Sequence, residues 1–117
     1  MPQISKYDLE ERTAKFGENI IDFCKSITQN IITRPIISQL IRSGTSIGAN
    51  YMEANSASSR KDFKNKINIS KKEAQETKHW LRMVVRCLPN EEKRVKILWQ
   101  ESHELTLILQ SISAKIK

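Results

Sequence analysis

Long apolar runs are missing from these 117 residues. No stretch of about 18 or more apolar residues occurs, so no segment is suited to cross a membrane as a helix. Glycine and proline are scarce, three of each, which argues against a many-stranded fold with frequent turns. Cysteine occurs twice, at Cys24 and Cys87, too far apart for a C-x-x-C pair. That excludes a disulfide framework or a paired-cysteine metal site and leaves two small buried hydrophobes in a reducing compartment. The opening MPQISKYDLEER has no apolar core of the signal-peptide kind, so the expected compartment is the cytoplasm.

Catalytic and metal-binding patterns are missing too. Glu76 and His79 make a Glu-x-x-His, the spacing used by di-metal bundles, but those sites need a second copy. The other histidine, His103, has Gln100 at that position. A phosphate loop would need G-x-x-x-x-G-K-[ST] after a strand, and the glycines of Ser43-Gly44-Thr45-Ser46-Ile47-Gly48 offer neither. No paired inward carboxylates and no cysteine–base pair are present. No enzyme, cofactor or metal is expected.

Positive charge is abundant: 20 Lys and Arg against 13 acids, a net +7 and a pI near 9.6. Such a balance suits a polyanionic partner, and its distribution matters more than its sum. Residues 59–88 hold nine Lys or Arg against three acids, a net of +6, so nearly all the excess lies in one segment. There Phe63, Ile67, Ser70, Ala74, Thr77, Leu81, Val84 and Leu88 alternate steps of four and three, the seam of a packed helix.

Three other segments show the same period. Leu9, Thr13, Phe16, Ile20, Phe23, Ile27 and Ile31 form the first seam, behind a cap at Asp8 with Glu11 three residues on. Pro35 sits in the first turn of the second helix, whose apolar face is Ile37, Leu40, Ile41, Ile47, Tyr51 and Ala54. Gly44 and Gly48 share one face of it and let a neighbouring backbone come close. Ser59 with Asp62 opens the third helix, Leu88-Pro89-Asn90 closes it, and Asn90 caps a fourth. That last seam is Val95, Leu98, Ser102, Leu105, Leu109, Ile112 and Ile116. The expectation is one all-α domain over 1–117, an antiparallel up-down-up-down four-helix bundle with helices near 8–31, 35–57, 60–88 and 91–116.

The third helix sorts its charges. With Phe63 at heptad position d, Lys64, Lys71 and Lys78 fall at e, Lys61 and Arg82 at b, and Lys72 and Arg86 at f. Asp62, Glu73 and Glu76 lie on the other flank. The result is a stripe about 30 Å long without a carboxylate. A purely solvating surface mixes signs, so Lys61, Lys64, Lys71, Lys72, Lys78, Arg82 and Arg86 are the candidate nucleic-acid contacts. No aromatic interleaves with them in the sequence, which speaks against a base-stacking platform. The opposite flank carries a second seam of Ile69, Glu73, Glu76, Trp80, Met83 and Cys87, and Trp99 and Ile108 leave the main seam of the fourth helix. A bundle needs one seam per helix, so Ile69, Trp80, Met83, Trp99 and Ile108 are expected to meet another subunit.

Several runs resemble a known family: Asp8-Leu9-Glu10-Glu11-Arg12-Thr13 with Phe16, then Gln39-Leu40-Ile41-Arg42-Ser43-Gly44-Thr45-Ser46-Ile47-Gly48-Ala49-Asn50-Tyr51. Lys61-Asp62-Phe63, Lys72-Glu73-Ala74, Glu76-Thr77 and Trp80-Leu81 continue the likeness over nearly the whole chain. They resemble the four-helix-bundle proteins encoded in intervening sequences of bacterial 23S ribosomal RNA genes. Met52 departs from the alanine of that pattern, a matter of packing. The resemblance implies a cytoplasmic bacterial homopentamer without catalytic residues. The family is similar in fold to the accessory protein of diversity-generating retroelements, a basic pentamer that binds nucleic acid and a reverse transcriptase. For the motif residues Arg42, Asn50 and Glu53, a polar contact inside the bundle and a partner-binding role both stay open. The function expected is nucleic-acid binding, with RNA ahead of DNA; the alternative is a scaffold whose basic face meets an acidic protein, and no membrane partner is expected.

Overall fold

A computed structural model describes residues 6–116. Four helices follow one another: α1 Lys6–Ser26, α2 Thr33–Asn55, α3 Arg60–Cys87 and α4 Glu92–Ala114. They form an antiparallel up-down-up-down bundle, and no strand occurs among the described residues. α1 packs on α2, α2 on α3 and α3 on α4, whereas α1 and α4 meet only over a short stretch. The molecule is therefore a flattened slab of 44 × 29 × 19 Å, with a wedge-shaped groove where α1 and α4 diverge. No helix among the described residues is long and apolar enough to cross a membrane.

The seams read from the sequence are the core. Leu9, Phe16, Ile20, Leu40, Ile47, Ile67, Leu81, Leu105 and Leu109 are fully buried. Between them lie small hydroxyl residues whose hydrogen bonds cross from helix to helix. Ser70 donates to the Ile47 carbonyl at 2.7 Å, Ser102 to the Ala74 carbonyl at 2.8 Å, and Thr77 to Ser43 Oγ at 2.9 Å. Each seam position is small enough for the backbones to approach and is satisfied in doing so.

Helix ends depart from expectation where side-chain turn chemistry intervenes. α1 stops at Ser26, short of 31, and Ile31 is 82% exposed. Asn30 Oδ1 accepts from the N–H groups of Ile32 and Thr33, while Thr33 Oγ1 accepts from the Asn30 N–H and donates to the Thr28 carbonyl. This local network outcompetes the helix and starts α2 at Thr33. Asp8 lies inside the first turn of α1, not ahead of it. Ser59 does cap α3, accepting from the Asp62 N–H at 3.0 Å. Asn90 does not cap α4: Pro89–Glu91 form a 3-10 turn closed by the Glu91 N–H on the Leu88 carbonyl, and α4 begins after it. Cys24 is buried, and burial pushes its thiol up to about 11; Cys87, expected buried, is half-buried.

The two α2 glycines do face a neighbouring helix. A Cβ on Gly44 would stand 3.0 Å from two carbons of Ile20, and one on Gly48 would stand 3.1 Å from Thr13 Oγ1. At Gly17 the nearest atom would be 3.6 Å away, an ordinary contact. Gly44→Ala and Gly17→Ala are therefore expected to act in opposite directions in urea unfolding. Both gain about 1 kcal/mol of helix propensity. At Gly44 the overpacking penalty of about 1–3 kcal/mol outweighs it. A stabilised Gly44→Ala would refute the packing account.

Candidate nucleic-acid interface

The charged stripe of α3 runs along its contact with α4. Three of its lysines reach across: Lys64 Nζ donates to the Ile116 carbonyl at 3.3 Å and Lys71 Nζ to Gln110 Oε1 at 2.7 Å. Lys78 Nζ, which can only donate, lies 3.1 Å from His103 Nδ1, so that nitrogen accepts. All three lysines are half-buried, and all three acceptors are uncharged. The ammonium groups are oriented without being neutralised.

Neutralised cations lie elsewhere. Among the described residues, the basic side chains paired with carboxylates are Arg12, Lys15, Arg42, Lys66 and Arg94. Arg12 of α1 spans the wedge to α4 with two bonds of 2.7 Å to Glu101 and a third of 3.0 Å to Glu104. Hydrogen bonding to Glu101 raises its pKa despite partial desolvation. Arg42 of α2 holds Glu73 at 2.7 Å and Glu76 at 2.5 Å on α3, and those bonds raise its pKa, Glu73 first. None of the seven basic residues singled out on α3 has such a partner among the described residues.

Five of the seven follow one line. Lys64, Lys71 and Lys78 track the α3–α4 contact, and Arg82 and Arg86 line the groove at its far end. Lys61 is exposed one heptad before Asn68, which accepts from Ser113 of α4, so it extends the same side. Lys72 stands apart, in an outer hollow with Asp62, Lys66 and Ile69.

The groove also contains residues that sequence reasoning assigned differently or passed over. Lys96 of α4 joins Arg82 and Arg86 there, as does Trp99. Trp99 stacks on His103 with ring centroids 5.1 Å apart and planes 15° from parallel, and Lys78 Nζ lies 5.2 Å from the indole centroid. An aromatic does stand among the lysines after all. It arrives from the neighbouring helix, and no spacing within α3 could signal it.

The five candidate subunit contacts divide between two regions. Ile69 and Trp80 sit on the flank of α3 that carries Glu73 and Glu76, the side turned to α2, whereas Met83 lines the α3–α4 groove with Trp99. Of these Ile69 is 42% exposed, while Trp80 is half-buried against the core and edge-on to His79. Trp99 and Ile108 come from α4, with Ile108 packed against the core and Trp99 in the basic groove. Two of the six residues of the second seam, Glu73 and Glu76, are thus accounted for within the chain by Arg42. The other two motif residues also have internal partners: Asn50 Nδ2 donates to the Ser46 carbonyl, and Glu53 faces Lys66 at 3.7 Å. Among the described residues no group of three or more His, Cys, Asp or Glu is placed to hold a metal ion.

The family model of the 23S rRNA-intervening sequence protein matches residues 5–111. The chain belongs to that family. Among solved structures, the family member is similar to a protein with unknown function from the S23 ribosomal protein family of Bacteroides thetaiotaomicron. The two share 32% identity and a TM-score of 0.82 over 94% of this chain and 98% of that one. No curated protein matches. No enzymatic family is indicated by these likenesses.

Proposed function

We propose that this family member is a non-enzymatic, cytoplasmic, oligomeric helical bundle that binds nucleic acid through the basic side of α3. The observation that carries this reading is the separation of paired from unpaired cations. Arg12, Arg42, Lys66 and Arg94 are tied to carboxylates, while Lys64, Lys71 and Lys78 of the α3 stripe are aimed by neutral acceptors. An arrangement of that kind lowers the cost of bringing phosphates close, since no internal ion pair has to break. The family description names 23S rRNA and favours RNA as the polyanion.

Self-association, as the homopentamer that the family resemblance implies, is part of the proposal. Support comes from exposed apolar side chains such as Ile69 and Ile97, the latter 72% exposed. Light scattering at micromolar concentration checks it, and a monomer would remove it.

The binding test is fluorescence anisotropy with labelled RNA over a salt series. Affinity should fall steeply as salt rises, because phosphate contacts release counterions. Affinity flat in salt, or no binding at all, would overturn the reading. Capture of an acidic protein that survives nuclease treatment would place the basic face in a protein scaffold instead.

A further inference from the structure

The far end of the α3–α4 groove combines two features that backbone charge recognition alone does not need. Arg82 and Arg86 of α3 and Lys96 of α4 converge there, with Glu92 the single acid in the lining. Among them stands an indole, Trp99, that remains 37% exposed. It is not a loose surface side chain. His103, one turn further along α4, stacks on it, and Lys78 bonds that imidazole while lying 5.2 Å from the indole centroid. A cation 3.1 Å from a ring stacked on the indole must lie on that ring's side. Neither His103 nor Lys78 therefore covers the opposite face of the indole, and Trp99 keeps 37% of its surface exposed. Trp99 and Lys96 also line the wedge between α1 and α4, so the indole stands where two grooves meet.

From this we infer that the groove takes an unpaired nucleotide of a single-stranded or looped nucleic acid. The base stacks on Trp99, and the flanking phosphates lie on Arg82, Arg86 and Lys96. The inference rests on the nucleic-acid reading above and narrows its ligand from a backbone to a backbone with an accessible base. Charge complementarity selects this occupant: three cations and one acid stand around the ring, with Met83, Val85 and Val95 completing the lining. A planar group carried on a polyanion meets both, whereas an apolar helix of another protein would bury the cations with one acid between them. A fixed, half-covered indole also loses little freedom when a base lands on it. The volume of the groove, about 570 Å³, accommodates a nucleotide.

The experiment compares a labelled oligouridylate of about 12 nucleotides with the same strand paired to its complement. For Trp99→Ala, single-strand affinity should drop about tenfold or more, while duplex affinity is unchanged. Trp99→Phe should restore most of the single-strand binding, since a smaller ring still stacks. In a Trp80→Phe background, the single strand should quench the emission of Trp99 and the duplex should not. Unchanged single-strand affinity in Trp99→Ala, or equal losses for strand and duplex, would overturn this inference and leave the backbone reading intact. A smaller assembly in Trp99→Ala by light scattering would also overturn it, by making the indole a subunit contact. Absence of binding to either probe by the wild-type protein would overturn both readings.

Discussion

Lys64→Gln, Lys71→Gln and Lys78→Gln combined are expected to lower affinity for single-stranded RNA about a hundredfold near 0.1 M salt. The arithmetic follows from counterion release. Each phosphate contact on a single strand contributes a slope of about 0.7 in log affinity against log salt, so three lost contacts remove about 2 from the slope. At 0.1 M that difference is about two powers of ten. Glutamine is the informative replacement because the three lysines have structural partners. Their Nζ atoms bond the Ile116 carbonyl, Gln110 and His103, and a side-chain amide can still donate to such acceptors. The triple Glu variant should bind more weakly still, since it sets carboxylates against the approaching phosphates. It would also set carboxylates against a carbonyl and an amide oxygen at the α4 surface. For that reason the Gln variant, with its melting temperature measured alongside, separates loss of charge from loss of fold. Affinity of the folded Gln variant within about threefold of wild type would exclude these lysines from the binding face.

Much of this architecture is legible in the order of residues. Steps of three and four at Phe16, Ile20, Phe23 or at Leu81, Val84 fix which face of each helix is buried, because the α-helical period leaves no other stripe continuous. The close approach at Gly44 and Gly48 was equally readable, since four-residue spacing puts both on one side. Two kinds of information were not. At Asn30 and Thr33 a turn of four cross-bonds ended α1 early, although Ile27 and Ile31 kept the helical spacing; periodicity records what a helix would bury and not whether a competing turn forms. At the candidate site, the stripe of lysines was visible within α3, but its neighbours were not. Which residues of α4 stand opposite Lys78 depends on the axial register of the two helices, and heptads shared by every helix of a bundle do not specify that register. The spacing of α3 therefore carries no signal that Trp99 and His103 stand beside Lys78.

Charge also ties α3 to its other neighbour, α2, which leads to the second large effect, on stability. Arg42 extends from α2 to α3, bonding Glu73 through Nη1 and Glu76 through Nη2, with Nε donating to Gln39 at 3.1 Å. The three partners are unequal. Glu76 is half-exposed and water can replace Arg42 there, whereas Glu73 is only 8% exposed. Arg42→Met should therefore leave one buried carboxylate without its cation. Breaking a fully buried pair costs about 3–5 kcal/mol, and the half-exposed guanidinium here reduces that to about 2 kcal/mol. In a domain of this size the loss corresponds to a fall of about 8 °C in Tm. The double variant Arg42→Met, Glu73→Met should regain most of it, because two apolar side chains of similar length can share the α2–α3 contact without a stranded charge. That recovery distinguishes an internal clamp from a surface reserved for a partner. If Arg42→Met costs no more than an exposed ion pair, about 0.5 kcal/mol, the clamp account fails and the arginine is free to serve a partner. If the single variant falls and the double variant recovers, Arg42 and Glu73 set how α3 lies against α2. The direction in which α3 presents its lysines to solvent then depends on a residue that touches no ligand.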